Sequence, residues 1–289
     1  MKFVHEPHPS GVLYVVATPL GNLDDLSPRA RAVLECVDLI AAEDTRVARH
    51  LLQALGLPKV PVISSFEGNE ASRAEEISRR LSEGAAVALV TDAGTPCISD
   101  PGDRTVAAAR EAGAHVIPIP GPSAVVTALS VSGFPGSRFH FEGFLPAKGK
   151  DRSKRLTEIS TLDVTIVLYE SPHRIRETLH DLAQILGNDR ECVLCREITK
   201  KFETITRGTL GDLDANSSES EIRGEFTLVL SPGLPAGEKP VFPALEKEIS
   251  RLRSLDLPVK TVAAILSPYT GLSKSELYEI ILKFEKEHL

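Results

Sequence analysis

Short apolar runs recur through the first half of the chain, and three of them lead straight into a turn of Gly, Pro and small residues. They are Leu13-Tyr-Val-Val-Ala-Thr-Pro-Leu-Gly-Asn22, Ala88-Leu-Val-Thr-Asp-Ala-Gly-Thr-Pro-Cys-Ile-Ser-Asp-Pro-Gly102 and His115-Val-Ile-Pro-Ile-Pro-Gly-Pro-Ser-Ala124. Helical periodicity fills the intervals. Ser27-Pro28 opens a helix with a capping hydroxyl and a Pro at the first helical position, and Ala30, Val33, Leu34 and Val37 follow as a buried stripe. Residues 38–44 read as a short strand, Asp44 as the cap of a helix that stops at Gly56, and further helices end at Gly84 and near Gly113 around a strand at 86–91. This alternation predicts an α/β fold with a mostly parallel sheet and helices on both faces. The carboxyl ends of such strands form a ligand crevice, and Gly there lets backbone approach the ligand. Three such ends predict a small-molecule site walled largely by main chain.

Beyond about residue 127 the pattern changes. Residues 138–144, 164–169, 191–198, 202–208 and 223–230 read as strands, with helices at 151–160 and 171–186. More strands and fewer crossovers predict a mixed sheet in a second α/β domain. Residues 232–240 have linker composition, and 243–289 read as wholly helical. Within that tail, helical segments at 259–267 and 273–287 are split by Pro268-Tyr-Thr-Gly-Leu272, the outline of a helix-turn-helix. The expected organisation is α/β domains at 1–124 and 125–232, a linker at 233–242 and a helical domain at 243–289.

A hydrophobic content of 42% and a charged content of 25% are those of a soluble globular protein. No run approaches a membrane span and the first residues lack the apolar segment of a signal peptide, so a cytoplasmic location is expected. Four Cys are too few for a disulfide framework. Cys192 and Cys195 have C-x-x-C spacing, but on a strand they point to opposite faces and read as core thiols. The net charge of −7 argues against a basic nucleic-acid coat. Locally, however, Arg138, Lys148, Lys150, Arg152, Lys154 and Arg155 outweigh Glu142 and Asp151. Such a patch can track a phosphate backbone, or it can be a solvated loop and helix start. The helical tail carries seven basic and seven acidic residues, so its charge does not mark it as a DNA reader.

Familiar catalytic signatures are missing: there is no G-x-G-x-x-G after the first strand, no phosphate-binding loop, no H-E-x-x-H and no G-x-S-x-G, and the eight His do not cluster, so no metal site is expected. A site of backbone and carboxylates suits a reaction whose electrophile arrives already activated, such as methyl transfer from a sulfonium. Six motifs then fall in order: Thr18-Pro-Leu-Gly-Asn-Leu-Asp-Asp-Leu-Ser27, Ala41-Ala-Glu-Asp-Thr-Arg46, Thr91-Asp-Ala-Gly-Thr-Pro96 with Ser99-Asp-Pro-Gly102, Pro120-Gly-Pro-Ser-Ala124, Glu142-Gly-Phe-Leu-Pro-Ala-Lys148 and Tyr169-Glu-Ser-Pro-His-Arg174. Together they resemble the tetrapyrrole methylase superfamily, in the bacterial branch that modifies small-subunit ribosomal RNA. The likeness spans roughly residues 13–230.

The resemblance implies S-adenosylmethionine bound between two α/β domains, 2′-O-methylation of a cytidine in the decoding region of 16S rRNA within the 30S subunit, and a cytoplasmic homodimer. It carries cofactor contacts onto Pro19, then Asp92, Ala93, Gly94 and Thr95, then Pro120, Gly121 and Ser123, with Tyr169 from the second domain. On the helix after Asp44, Arg46, Arg49, His50 and Gln53 share a polar face opposite Val47, Leu51 and Leu55. Arg46 and Arg49 on that face, with Lys148, Lys150 and Arg152, are the expected RNA contacts; a plain solvated face is the alternative. Glu43, Asp44 or Asp24 could orient or deprotonate a ribose hydroxyl, while Asp44 as a helix cap and Asp24 as a turn former account for those two equally well. Relatives often carry a His before the Asn69-Glu70 pair; this chain has Ser64-Ser-Phe-Glu-Gly-Asn-Glu70, which leaves the general base open. Two other functions stay in view: carbon methylation of a tetrapyrrole, and ribosome binding without catalysis.

Overall fold

The computed structural model describes residues 11–216, 223–233, 243–255, 257–270 and 272–288, and the chain divides into a unit ending at Gly233 and a helical unit beginning at Leu234. The first sheet comprises β1 (Val12–Val16), β2 (Leu39–Ala42), β3 (Val62–Ser64), β4 (Ala86–Val90) and β5 (His115–Ile119), all parallel, in the order β3-β2-β4-β1-β5. Its central strands are apolar at nearly every position because both faces are covered. On one face α1 (Pro28–Cys36) and α2 (Thr45–Ala54) bury Val33, Leu34, Ala48 and Leu52 against Tyr14, Val16 and Ile40. On the other, α3 (Glu70–Ser82) and α4 (Asp103–Glu111) bury Ile77, Leu81 and Ala109 against Leu13, Val87 and Leu89. The chain leaves β1 toward β2 across one face and leaves β4 toward β5 across the other. The crevice of this sheet therefore opens between β4 and β1.

Local signals set the helix starts. The Ser27 hydroxyl accepts from the Ala30 N–H at 3.0 Å ahead of Pro28, and Asp44 accepts from the Arg46 N–H at 2.7 Å. The stripe expected on α2 is corrected. Ala48 and Leu52 enter the core, whereas Val47 is 39% exposed and Leu51 only half-buried, because α2 lies over the sheet edge with that side turned to an open groove. Strand β3, with three residues, is too short to show a period and was not anticipated.

The second sheet is mixed, in the order β6-β7-β10-β8-β9, from β6 (Phe139–Phe144), β7 (Thr165–Glu170), β8 (Glu191–Arg196), β9 (Thr204–Thr209) and β10 (Phe226–Leu230). Only β6 and β7 pair in parallel. One face carries α6 (Gly149–Ser160), α7 (Ile175–Leu186) and α8 (Leu210–Asn216) over Ile166, Leu168 and Leu228. The other carries α5 (Ala124–Ser132), whose Val125, Ala128 and Leu129 pack on Val167, Val193 and Val229. Cys192 and Cys195 are fully buried and belong to these two opposite cores, as period two demands. Several expected boundaries move: β8 stops at Arg196 and β10 starts only at Phe226. The ninth strand starts at Thr204 because residues 197–203 form a hydrogen-bonded turn, and α7 starts at Ile175 because the Ser171 carbonyl first accepts turn bonds from Arg174 and Ile175. The short helix α8 was not anticipated.

Loops of the two sheets touch. Leu20, after β1, packs against the α5 cluster, and a Cβ on Gly143 of β6 would lie 2.8 Å from the Ser99 hydroxyl.

The helical unit contains α9 (Pro243–Arg253), α10 (Val259–Thr270) and α11 (Lys274–His288) around its own core of Leu245, Ile249, Val262, Leu266, Leu277 and Ile281. Ser273 and Glu276 form a reciprocal capping box at the start of α11. Helix α10 continues past Pro268 to Thr270, further than the Pro suggested, and the Thr270 hydroxyl bonds the Leu266 carbonyl at 3.0 Å. Of the linker expected at 233–242, only Gly233 lies within the described residues. Because each unit holds a separate core, a chain ended at Gly233 should unfold cooperatively within a few degrees of the full-length two-sheet transition. Circular dichroism on heating checks this; aggregation or a gradual melt of the shortened chain would refute it.

Candidate active site

Parallel pairing puts the carboxyl ends of β2, β4, β1 and β5 along one edge. Beyond the sheet, the turns after β1 and β4 are joined by two hydrogen bonds, Thr18 N–H to Gly94 carbonyl at 2.8 Å and Gly94 N–H to Thr18 carbonyl at 3.1 Å. The Thr18 hydroxyl adds a bond to the Thr91 carbonyl at 3.1 Å. Gly94 has φ +91°, a conformation that side chains disfavour. The β5 turn joins through the Thr95 hydroxyl, which donates to the Pro122 carbonyl at 3.0 Å. A Cβ on Gly121 would stand 3.1 Å from that of Ala17, so these turns approach as bare backbone. Pro120 and Gly121 are exposed at the edge, Pro19 is buried beneath it, and Ser123 caps α5 without a side-chain bond.

The acidic groups converge on the same edge. Glu43 accepts from the Thr91 hydroxyl at 2.7 Å, and Asp92 accepts from the Asp44 N–H at 3.0 Å. Partial loss of water and then the charges of Glu43 and Asp44 hold the Asp92 carboxyl above its ordinary range. Asp100, on the loop to α4, is pushed up to about 7, first by burial and next by the Glu43 charge, with a Thr91 hydrogen bond opposing. Its loop is rigidly placed. Cys97 and Ser99 adopt left-handed backbone at φ 70° and 63°, and the buried Glu70 carboxylate accepts from the Gly102 and Arg104 N–H groups at 2.8 and 3.2 Å, holding the start of α4. From the second sheet comes Tyr169, its ring edge-on to Phe141 at 5.0 Å and tilted on Phe144 at 5.6 Å. Burial and then the Asp100 charge push its hydroxyl up to about 12, and the Val125 backbone donates to it.

Asp100 lies within the Ser99-Asp-Pro-Gly102 motif, and sequence alone does not single it out. The available signal was a carboxylate among small residues after a strand; its special property comes from burial beside Glu43. Asp44 takes the helix-cap role that the sequence offered beside the catalytic one: its carboxylate caps α2 and holds Arg46 through both oxygens, and the Arg46 hydrogen bonds lower it to about 2. Asp24 sits in an exposed 3-10 turn whose start is capped by Asn22. The Ser64–Glu70 stretch is a turn tied by Asn69, which bonds the Phe66 N–H at 2.9 Å and the Ser64 carbonyl at 3.3 Å.

Among the expected RNA contacts, Arg152 is overturned. It is 4% exposed and bonds Asp181 at 2.8 Å, the Thr178 hydroxyl at 3.0 Å and the Pro146 carbonyl at 3.1 Å, because its position on α6 faces α7. Arg155 is likewise tied to Glu142 and Glu158. Lys148 and Lys150 are exposed at the start of α6, and Arg49 is exposed on α2 with Thr45 as a neighbour at 3.2 Å. Arg46 is exposed but shared with Asp44. Beside the edge, Pro19, Gly21, Leu23, Val47, His50 and Asp92 line an open groove of about 270 Å³. Among the described residues no helix is long and apolar enough to cross a membrane, and no group of three His, Cys, Asp or Glu could hold a metal ion.

Residues 12–214 match the Tetrapyrrole (Corrin/Porphyrin) Methylases. The chain is 45% identical to Ribosomal RNA small subunit methyltransferase I of Xylella fastidiosa, over 93% of this chain and 98% of that one. It is 44% identical to the protein of the same name from Escherichia coli O157:H7, over 94% and 95%. Among solved structures, a cobalamin biosynthetic enzyme, cobalt precorrin-4 methyltransferase, superposes with a TM-score of 0.57 at 21% identity, covering 79% of this chain and 97% of that one. That last likeness bears on the fold alone.

The Asp100 carboxyl generates a pH-dependent stability. With a folded value near 7 against an ordinary 3.8, the folded protein keeps a proton that the unfolded chain has lost across that interval. The stability this contributes is fully present below about pH 4 and is lost as the pH rises through about 7. Asp100→Asn should therefore raise the melting temperature relative to the parent at about pH 8 and match it near pH 4. Parallel melting curves across that range would contradict the assignment.

Proposed function

The chain belongs to the tetrapyrrole methylase family, and from that membership we propose that it is an S-adenosylmethionine-dependent methyltransferase of small-subunit ribosomal RNA, acting on the 2′-hydroxyl of a cytidine in the decoding region of 16S rRNA. The observation that carries the substrate class is the 42–45% identity, along nearly the whole chain, to relatives named for that RNA. The reading includes a 30S particle as substrate, a cytoplasmic location and a homodimer.

The residues present fit the cofactor. Pro19, Asp92, Ala93, Gly94, Thr95, Pro120, Gly121 and Ser123 would hold it from three turns, with Tyr169 facing them from the second sheet. The support lies in the geometry: adjacent turns stitched by backbone, and an exposed edge where Pro120 and Gly121 present main chain rather than long side chains. When bound, S-adenosylmethionine supplies a methyl group activated as a sulfonium. Asp100 accepts the proton of the ribose hydroxyl as that oxygen attacks, and its carboxyl, near 7, is matched to a base working at neutral pH. Glu43 keeps Asp100 raised and fixes the Thr91 hydroxyl. Tyr169, held protonated, closes the apolar side of the cleft.

Two outcomes test this reading. S-adenosylmethionine should raise the melting temperature of the protein, and Gly94→Val should abolish that rise by straining a backbone at φ +91°. Asp100→Asn should keep the rise and lower kcat on 30S particles by about 10²–10⁴-fold. Full turnover by Asp100→Asn would remove the general base. The cations separate by role: Lys148→Ala with Lys150→Ala should raise KM for 30S particles and flatten the salt dependence of binding, while Arg152→Ala should cost about 2–4 kcal/mol of stability by stranding Asp181 and Thr178. Denaturant titration and salt-dependent binding read these two effects apart.

A further inference from the structure

We propose that the turn between β8 and β9 is a nucleobase platform, with Phe202 stacking on a base of the RNA and Lys201 meeting its phosphate; this rests on the rRNA reading above. Phe202 is 67% exposed, more than any other large apolar side chain described in the second sheet, where Phe144 reaches 53%. The Lys201 ammonium lies 5.6 Å from its ring centroid and has no ion pair among the described residues. An exposed aromatic ring beside an uncompensated cation is what single-stranded or looped RNA recognises, through base stacking and backbone charge together.

The backbone that carries the ring is tightly held. Glu197 and Thr199 are both left-handed, at φ 54° and 68°, although neither is Gly, and a β-branched residue strongly disfavours that conformation. Thr199 also buries a hydroxyl without a partner. Hydrogen bonds hold the arrangement: the Lys200 ammonium bonds Glu197 and Glu225, each at 2.9 Å, and the Glu203 carboxylate accepts from the Thr199 N–H at 2.6 Å. Ile198 anchors the turn in the core beneath α5.

Its position ties it to the cleft. A Cβ on Gly21 would lie 2.2 Å from the Lys200 Cγ, so Lys200 rests directly on the turn that follows Pro19. Phe202 is two residues further, a backbone span of at most about 7 Å. The turn that carries the ring is thus tied, through Lys200, to Gly21, which lines the groove together with Asp92. Strain, a clamped backbone and an exposed aromatic ring coincide in this one turn.

Steady-state methylation of 30S particles by Phe202→Ala, Phe202→Trp and Lys201→Ala tests the platform. Phe202→Ala should raise KM about tenfold or more with kcat within about twofold, Phe202→Trp should restore the parent KM, and Lys201→Ala should lower the salt slope by about one phosphate. All three should keep the melting-temperature rise given by S-adenosylmethionine. A parent-like KM in Phe202→Ala overturns the platform alone; a parent protein that methylates no RNA overturns the function and the platform with it. Ultraviolet crosslinking of the parent to 30S particles identifies the partner. An RNA adduct on the peptide containing Phe202 supports the platform, and an adduct to ribosomal protein, or none, overturns it.

Discussion

The site hangs on the two-bond bridge between Thr18 and Gly94. Parallel strands β1 and β4 are paired by ordinary ladder bonds, but their turns lead to opposite faces of the sheet and would otherwise splay. The bridge, with the Thr18 hydroxyl on Thr91, keeps those turns together for a few residues past the last ladder bond. That brief continuation brings bare backbone and Thr95 to the edge where Glu43, Asp92 and Asp100 converge. A left-handed Gly is needed because the chain must reverse its carbonyl toward Thr18 within one residue.

Electrostatics and hydrogen bonding then divide three nearby carboxylates into different jobs. Asp44 meets a guanidinium and a helix N-terminus and is held ionised. Asp100 loses water and faces Glu43, so its charged form is disfavoured. The same chemical group is a structural cap in one place and a candidate base in the other, and the neighbours make the difference. Glu70 has a third part: buried under α4, it fixes the loop that carries Asp100 by bonding two backbone N–H groups. The cations divide in a similar way. Arg152 and Arg155 are committed to acidic partners, while Lys148 and Lys150 stay open to solvent.

The second sheet contributes by approach rather than by topology. Helix α5 follows β5 in sequence yet buries its apolar side on the second sheet, so it carries the chain across from one core to the other. Leu20 joins that cluster, Gly143 admits Ser99 and Gly21 admits Lys200. At the two glycines a Cβ would collide with the residue it now admits.

By itself the sequence determined most strands and helices, because apolar period and capping residues act over a few neighbours: Ser27 and Asp44 cap the helices they were expected to cap, and the Cys192–Cys195 spacing decided opposite faces. The order of motifs also identified the family, and the three Gly-bearing strand ends were legible as turns that meet along one edge of the first sheet. Tertiary structure alone decided what depends on partners distant in the chain. Arg152 looked like a surface cation until α7 packed over it, Val47 looked like core until α2 settled at the sheet edge, and Asp100 looked like a turn residue until burial beside Glu43 raised its proton affinity. Charge and hydrophobicity are written residue by residue, whereas burial and the field at a carboxylate are sums over neighbours that only the folded chain assembles.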